Sequence, residues 1–413
     1  MKAKSYRHIV FQLFFAVMFL MPMMACTKPE EQPAEPINDT IVKPDIPLCN
    51  SVFFYEQCLY RPGDYGSQNY RIPAICTLPD GPLLAVNDKR KFNEGDLPQD
   101  IDIVCRRSTD NGRTWSEPSN IIVGTGYKHG YGDPALVVCP NGDVLCLFCG
   151  LNGFWQSTEA DPQGIFVSRS TDGGVSWSQP EDIHTLVWGS QALNSACRNY
   201  KGGFIASGNG LVLKRGEHKG RIILVAALCR KNANIADNFA VYSDDNGYTW
   251  QVSDCAFYAG DEAKVVELVD GRVLMSVRQS GPRGYAISED AGAHWGASYT
   301  WPEMTTNACN GELLRLSAVD EGGERNILLH SITNSMNREN VSVFISYDEG
   351  RTWQDPVTLC AGPSVYSSLT LQRDGTIGAY IEKNPNGACE MWYQNFTYAW
   401  LLEQLNKMPE KSE

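Results

Sequence analysis

The stretch STDNGRTW at residues 108–115 recurs as STDGGVSW (170–177), SDDNGYTW (243–250), SEDAGAHW (288–295) and SYDEGRTW (346–353). The shared frame is Ser-x-Asp-x-Gly-x-x-Trp. Its aspartate can accept hydrogen bonds from turn amides, its glycine tolerates positive φ, and its tryptophan can pack between strands. Each copy follows an alternating run such as FAVY (239–242) or VSVFI (341–345), so each reads as the turn of a β-hairpin. Repetition at this spacing marks a chain built from one supersecondary unit used many times.

A second repeat interleaves with the first. Asp80-Gly81, Asn141-Gly142, Asp270-Gly271 and Asp374-Gly375 are strong hairpin turns, followed by PLLAVNDKR (82–90), DVLCLFCG (143–150), RVLMSVRQ (272–279) and TIGAYIEK (376–383). One unit is then strand, Gly turn, strand, loop, strand, Trp-frame turn, strand. Units begin near Arg71, Asp133, Asn209, Glu262, Glu312 and Tyr366. The last lacks the Trp frame, and SVFFYE (51–56) is placed to complete it. The pattern predicts an all-β fold, a six-bladed β-propeller of four-stranded antiparallel blades over residues 49–405.

In such a meander the first and third turns share one face, and the middle loop and the inter-blade link share the other. Counting back from the Gly turns to the first strand puts Arg71, Asp133, Glu262 and Tyr366 on that second face. Counting forward to the end of the second strand adds Arg90, Arg278 and Glu382, and the middle loops add Asp96, Trp155 and Arg338. Any one of these arginines would more often be a surface or inter-blade ion pair. Together on one rim they predict a pocket for a carboxylated ligand. Glu94, Asp100 and Asp102 compete with Asp96, and Asp261 and Glu267 compete with Glu262; Glu267 falls mid-strand and should sit away from the rim.

The remaining features bound the setting. The 413 residues are 43% hydrophobic and 20% charged, with a formal net charge of −13, which argues against nucleic acid and against adhesion to an acidic membrane surface. Lys2, Lys4 and Arg7 precede an apolar run from Ile9 to Ala25, which predicts a secretory signal over 1–25. Small Ala25 before Cys26 looks like a bacterial lipobox, implying lipidation of Cys26 and a bacterial-membrane anchor, periplasmic or on the cell surface. Residues 26–48, rich in proline and acid, read as a flexible tether, and 406–413 as a polar tail. Of 14 cysteines, 13 remain after Cys26, an odd count that argues against a complete disulfide framework. Cys146 and Cys149 form a lone CxxC without a second pair, so no metal site and no cofactor are predicted.

YRIP (70–73) resembles the F/YRIP motif of sialidases (neuraminidases), and the Trp-frame turns resemble the Asp boxes of the same family. The resemblance runs from about Val52 to Trp400. It implies an exo-α-sialidase that releases terminal sialic acid from glycoproteins, glycolipids or oligosaccharides, working as a monomer. By the same resemblance Arg71, Arg278 and Arg338 are the carboxylate-gripping triad, and Arg90 is an additional pocket arginine. Asp96 is the acid/base, Glu262 the catalytic glutamate, Tyr366 the nucleophile, and Glu382 the brace of the first arginine. Asp133 and Trp155 match residues lining the sugar. The chain departs from the family pattern at Ser368, where aspartate is frequent, and at Tyr70, where phenylalanine is commoner. A noncatalytic sialoglycan-binding propeller would need the arginines but not Asp96, Glu262 and Tyr366, and a trans-sialidase would share them all.

Overall fold

The Trp-frame turns are held by one set of hydrogen bonds used five times. In the copy at 170–177, Ser170 Oγ donates to Asp172 Oδ1 at 2.8 Å, and the Gly174 amide donates to Ser170 Oγ at 2.8 Å. Asp172 also accepts the Ser176 amide at 2.9 Å. The same serine-to-aspartate bond recurs at Ser108, Ser243, Ser288 and Ser346. Gly112 has a second reason to lack a side chain: a Cβ there would lie 2.0 Å from the Tyr393 ring. Its φ of 79° is in the left-handed region that glycine tolerates.

A computed structural model describes residues 46–407. The signal peptide (1–25), Cys26, and most of the tether (26–48) and tail (406–413) lie outside the described residues. Antiparallel meanders follow one another along the chain and form an all-β propeller. The first sheet is Asn69–Thr77, Leu83–Arg90, Ile101–Ser108 and Ser119–Ile122. The second is built on Tyr131–Val138, the third on Ile222–Arg230, and the fourth runs Ala263–Glu267 to Tyr299–Asn307. A seven-stranded sheet then contains Glu312–Ser317 through Glu390–Phe396 and takes Phe54–Tyr60 as its outer strand.

The core lies between successive sheets. Ala74 and Val86 pack with Leu136 and Phe148, Val137 and Leu147 with Leu224 and Phe239, and Leu274 with Leu328 and Phe344. Tyr70, Ile75, Tyr380 and Tyr393 join the first sheet to the last strands and close the ring. Each such large side chain contributes about 1.5–3 kcal/mol by leaving water.

Three details differ from the sequence expectation. The closing strand is Phe54–Tyr60 rather than 51–56, with Phe54 opposite Phe396. The third unit does not begin as one strand at Asn209. Gly208–Asn209 pairs in parallel with Ala135 and Leu136 of the second sheet, and Leu211–Val212 then pairs with Ile222–Ile223. Tyr200–Ile205 covers the rest of Ile222–Arg230. Gly210 allows the step, because a Cβ there would lie 3.0 Å from Leu224 and 3.2 Å from Val137. Finally, residues 398–406 form an α-helix inside the expected β region, capped by Thr397, whose hydroxyl accepts the Trp400 amide at 3.1 Å.

Candidate active site

Three of the inner strands that face the ring axis carry a bulge at the same end. The register breaks between Arg71 and Ala74, between Gly132 and Ala135, and between Ser364 and Ser367. Ile72 and Asp133 have φ of 63° and 57°, and each precedes a proline, Pro73 and Pro134, that could not have donated to the ladder. A bulge re-aims the side chain it carries. Here the bulges turn Arg71, Asp133 and Tyr366 toward one cavity of about 470 Å³.

That cavity is lined by Arg71, Asp96, Asp133, Trp155, Glu262, Arg278, Arg338 and Tyr366, among others. Arg90 and Glu382 stand behind the wall, both buried. Eight of the ten candidates therefore meet at the surface of one pocket, and two support it.

At its floor, the Tyr366 hydroxyl donates to Glu262 Oε2 at 2.5 Å and accepts from Arg278 Nη1 at 2.7 Å. Arg278 also pairs with the same Glu262 oxygen. Burial pushes the Glu262 carboxyl above its ordinary value, and Arg278 offsets only part of this. Burial likewise pushes the Tyr366 phenol well above its usual range despite Arg278, so the tyrosine rests neutral. A neutral phenol bonded to a buried carboxyl group is an arrangement that can serve as an oxygen nucleophile with a neighbouring base.

Around this pair stand three guanidiniums with donors to spare. Arg71 and Arg338 lie 5.4 and 5.9 Å from the Tyr366 ring centre. Arg71 Nε and Arg278 Nε are buried without a hydrogen-bond partner among the described residues. Arg338 has no carboxylate partner among the described residues either; only its carbonyl is used, by the Ser364 amide at 3.2 Å. Buried donors are normally satisfied, so the two orphaned Nε groups, with the exposed guanidinium of Arg338 on the same cavity, mark a place suited to an anion. Glu382 fixes the first of them. It accepts Arg71 Nη2 at 3.2 Å, the Tyr366 amide at 3.4 Å and the Ile72 amide.

Asp96 enters from the loop beyond Leu83–Arg90. Arg90 Nη1 holds it at 2.7 Å, and its side chain is 77% exposed. The surrounding protein disfavours its ionisation, but Arg90, Arg71 and Arg338 outweigh that and hold the carboxyl below its ordinary value. Asp133 is the opposite case. Burial, then Asp88, Asp96 and Glu262, push it well above the carboxylate range, and the Cys149 thiol donates to it at 3.2 Å. Trp155 is half-exposed at the rim against Phe154, with ring centres 4.5 Å apart.

Three of the competing acids are occupied elsewhere. Asp100 and Asp102 each take Lys91 at 2.9 Å. Glu267 is buried against Arg215 at 2.9 Å, away from the cavity. Asp261 does line the pocket, 3.7 Å from Arg278 Nε, but does not reach Tyr366. Ser368 is buried beneath the tyrosine; its hydroxyl donates to Glu312 at 3.0 Å and accepts the Ile75 amide at 3.2 Å. Sequence reasoning passed over Gln99, Gln156, Gln163 and Phe204 on the cavity wall, and the Ile72 amide held by Glu382. The paired segments YRIPA (70–74) and YGDPA (131–135) carried a signal for two of the bulges.

A comparison with known proteins agrees with this geometry. Residues 92–379 match the model of the BNR repeat-like domain. A sialidase of Micromonospora viridifaciens is 33% identical over 405 residues, 94% of this chain and 60% of that protein. A sialidase of Bacteroides fragilis is 26% identical over 347 residues, 78% of this chain and 61% of that protein. The chain thus spans about 60% of the length of these curated relatives. Among solved structures, the Hadza microbial sialidase Hz136 superposes with a TM-score of 0.75 at 24% identity, covering 84% of this chain and 69% of that one. The repeated turns, the ring they build and a family match over most of the described residues lead to one assignment: the chain belongs to the BNR repeat-like domain family.

Proposed function

We propose that this protein is an exo-α-sialidase that releases terminal sialic acid from glycoconjugates with retention of configuration, through a tyrosyl-enzyme intermediate. The observation that carries the reading is the Tyr366–Glu262 pair among three arginines on one cavity, two of them with unused buried donors. Sialic acid bears its carboxylate on the anomeric carbon. A carboxylate nucleophile would be repelled there, whereas a neutral tyrosine is not; sialidases are a known exception to the two-carboxylate scheme for this reason.

In the first half-reaction Tyr366 Oη bonds to the anomeric carbon while its proton passes to Glu262. The glycosidic C–O bond breaks, and the leaving oxygen takes the proton of Asp96. Arg71, Arg278 and Arg338 hold the substrate carboxylate beside the oxocarbenium-like centre. In the second half-reaction Asp96 takes a proton from water, the water oxygen replaces Tyr366 on the anomeric carbon, and Glu262 returns the proton to the phenoxide. Asp96 rests ionised, so it must gain a proton before it can act. The entering carboxylate neutralises Arg71 and Arg338, two of the three cations that keep it ionised, and so raises its proton affinity. On this reading Asp133 and Trp155 contact the sugar, and Arg90 and Glu382 keep the binding groups in register.

We also propose that the ring is six-bladed. Val357–Leu371 pairs with Glu339–Ser346 through its first half and with Ile377–Lys383 through its second, which supports reading the seven-stranded sheet as two blades that share one long strand. We extend the proposal to a propeller domain over 49–405, preceded by the signal (1–25) and a tether lipidated at Cys26, and active as a monomer on a bacterial membrane.

Hydrolysis of a chromogenic sialoside, with Tyr366→Phe and Asp96→Ala beside the parent, tests the assignment. Turnover by the parent, its loss in Tyr366→Phe by about 10³-fold or more, and a retained anomer in the first product are expected. Binding of sialosides without turnover would replace the enzyme with a lectin, transfer to a second glycan in preference to water would make it a trans-sialidase, and normal turnover by Tyr366→Phe would reject the nucleophile.

A further inference from the structure

Asp88 does not line the cavity, yet two parts of the site are fastened to it. Its carboxylate is fully buried. Oδ2 accepts Arg90 Nε at 3.2 Å and Arg90 Nη2 at 3.0 Å. Oδ1 accepts the amide of Asp133 at 3.0 Å, across from the next sheet. Residues 88 and 90 lie two apart on one strand, so their side chains share a face. Gly132 makes the approach possible, because a Cβ there would lie 3.1 and 3.3 Å from the two carboxylate oxygens.

A guanidinium is a rigid plane, so a carboxylate that grips two of its nitrogens fixes the direction of the third. The third nitrogen of Arg90, Nη1, is the one that holds Asp96 at 2.7 Å and also donates to the carbonyl of Glu94. We infer that Asp88 is a positioning residue for Asp96: through Arg90 it fixes where the acid/base carboxylate rests, and through the Asp133 amide it ties the neighbouring bulge to the same anchor. The inference rests on the sialidase reading given above.

It also has an electrostatic side. The groups facing Asp88 are Arg90 on its own strand, Asp133 and Cys149 from the next sheet, and Asp96 from the loop. Asp96 faces Arg71 and Arg338 in addition. While Asp88 is ionised it absorbs much of the Arg90 charge. Without that, Arg90 acts on Asp96 alone and favours its ionised form, so that less of it carries the proton the leaving group needs.

The experiment compares two sialosides, one with an activated aryl leaving group and one joined to a sugar, on the full chain. The aryl group leaves with little help, whereas the sugar needs the proton of Asp96. Asp88→Asn is expected to lower kcat/KM for the sugar-linked substrate by about tenfold or more and for the aryl one by less than about threefold. The basic limb of the pH profile should move to lower pH. Arg90→Gln should give the same selective loss but move that limb to higher pH, since it removes a cation from Asp96. Equal loss on both substrates with an unmoved limb in a folded Asp88→Asn protein would reduce Asp88 to a structural role and overturn the inference. If Asp88→Asn does not fold, Arg90→Gln decides: an unchanged ratio between the two substrates excludes the Arg90 link. No turnover by the parent on either substrate defeats the sialidase reading itself, a result separate from both.

Discussion

Replacing Glu382 with glutamine keeps its volume and removes its charge, and the local geometry gives the amide no satisfactory orientation. The two carboxylate oxygens face donors only: the Ile72 amide on Oε1, and Arg71 Nη2 and the Tyr366 amide on Oε2. If the new NH2 takes the first position, the Ile72 amide is orphaned at a residue already held at φ 63°. If it takes the second, Arg71 and Tyr366 both lose their acceptor. One orphaned buried donor costs about 1–3 kcal/mol, and the loss of charge assistance to Arg71 adds roughly 1 kcal/mol. The cheaper orientation therefore costs about 2–4 kcal/mol. The melting temperature should fall by about 4–8 °C at roughly 2 °C per kcal/mol. Because Arg71 and the Tyr366 backbone both hang on this group, kcat/KM for a sialoside should fall by about 10–100-fold, with KM rising. Calorimetry and steady-state kinetics read the two quantities. A variant that melts within about 1 °C of the parent and keeps kcat/KM within about threefold would refute the claim that Glu382 carries these donors.

Neutralisation of Arg71 and Arg338 by the bound carboxylate should place the basic limb of kcat at higher pH than that of kcat/KM; coincident limbs would show that Asp96 does not respond to the ligand. Burial raises Glu312, beside Lys264, from 4.5 to about 7, so the folded state holds a proton that the unfolded state has released over that window. Stability should fall as pH rises from about 4.5 to 7, by on the order of 2–3 kcal/mol, and Glu312→Gln should flatten that slope in urea melts; an unchanged slope would exclude the group as its source. Asp172→Ala removes the acceptor of a repeat turn on the face opposite the cavity. It should cost about 1–2 kcal/mol in chemical denaturation and leave KM unchanged, and an altered KM would contradict the placement of that turn.

What could be seen in the sequence and what could not divide along physical lines. Ser170, Asp172 and Gly174 are chosen by a local turn, and local chemistry is written directly into residue type. Strand length then carries Arg71, Glu262 and Arg278 to the opposite rim, because a meander alternates its ends. The bulges at Ile72 and Asp133 were harder, since one extra residue in a strand leaves composition and alternation nearly intact. Asp88 was invisible for a related reason: an acid inside an alternating strand reads as solvent-facing until its neighbours are known. The parallel step at Gly208–Asn209 depends on the close approach of Val137 and Leu224, a tertiary fact with no local mark. The helix at Tyr398–Asn406 followed strand-like aromatic residues, and Thr397 was the signal that separated them.

The strand that closes the ring comes first in the chain. Phe54–Tyr60 finds its partner only in Glu390–Phe396, so during synthesis it waits for nearly the whole domain to be made. At usual elongation rates of about 5–20 residues per second, that delay lasts on the order of 20–70 s. Until then the strand itself is unpaired, and the seam at Tyr70, Tyr380 and Tyr393 has only one side. The ribosome therefore delivers a nearly finished circle with its clasp undone, and the interval before the clasp meets its mate is when one nascent copy is most exposed to pairing with another.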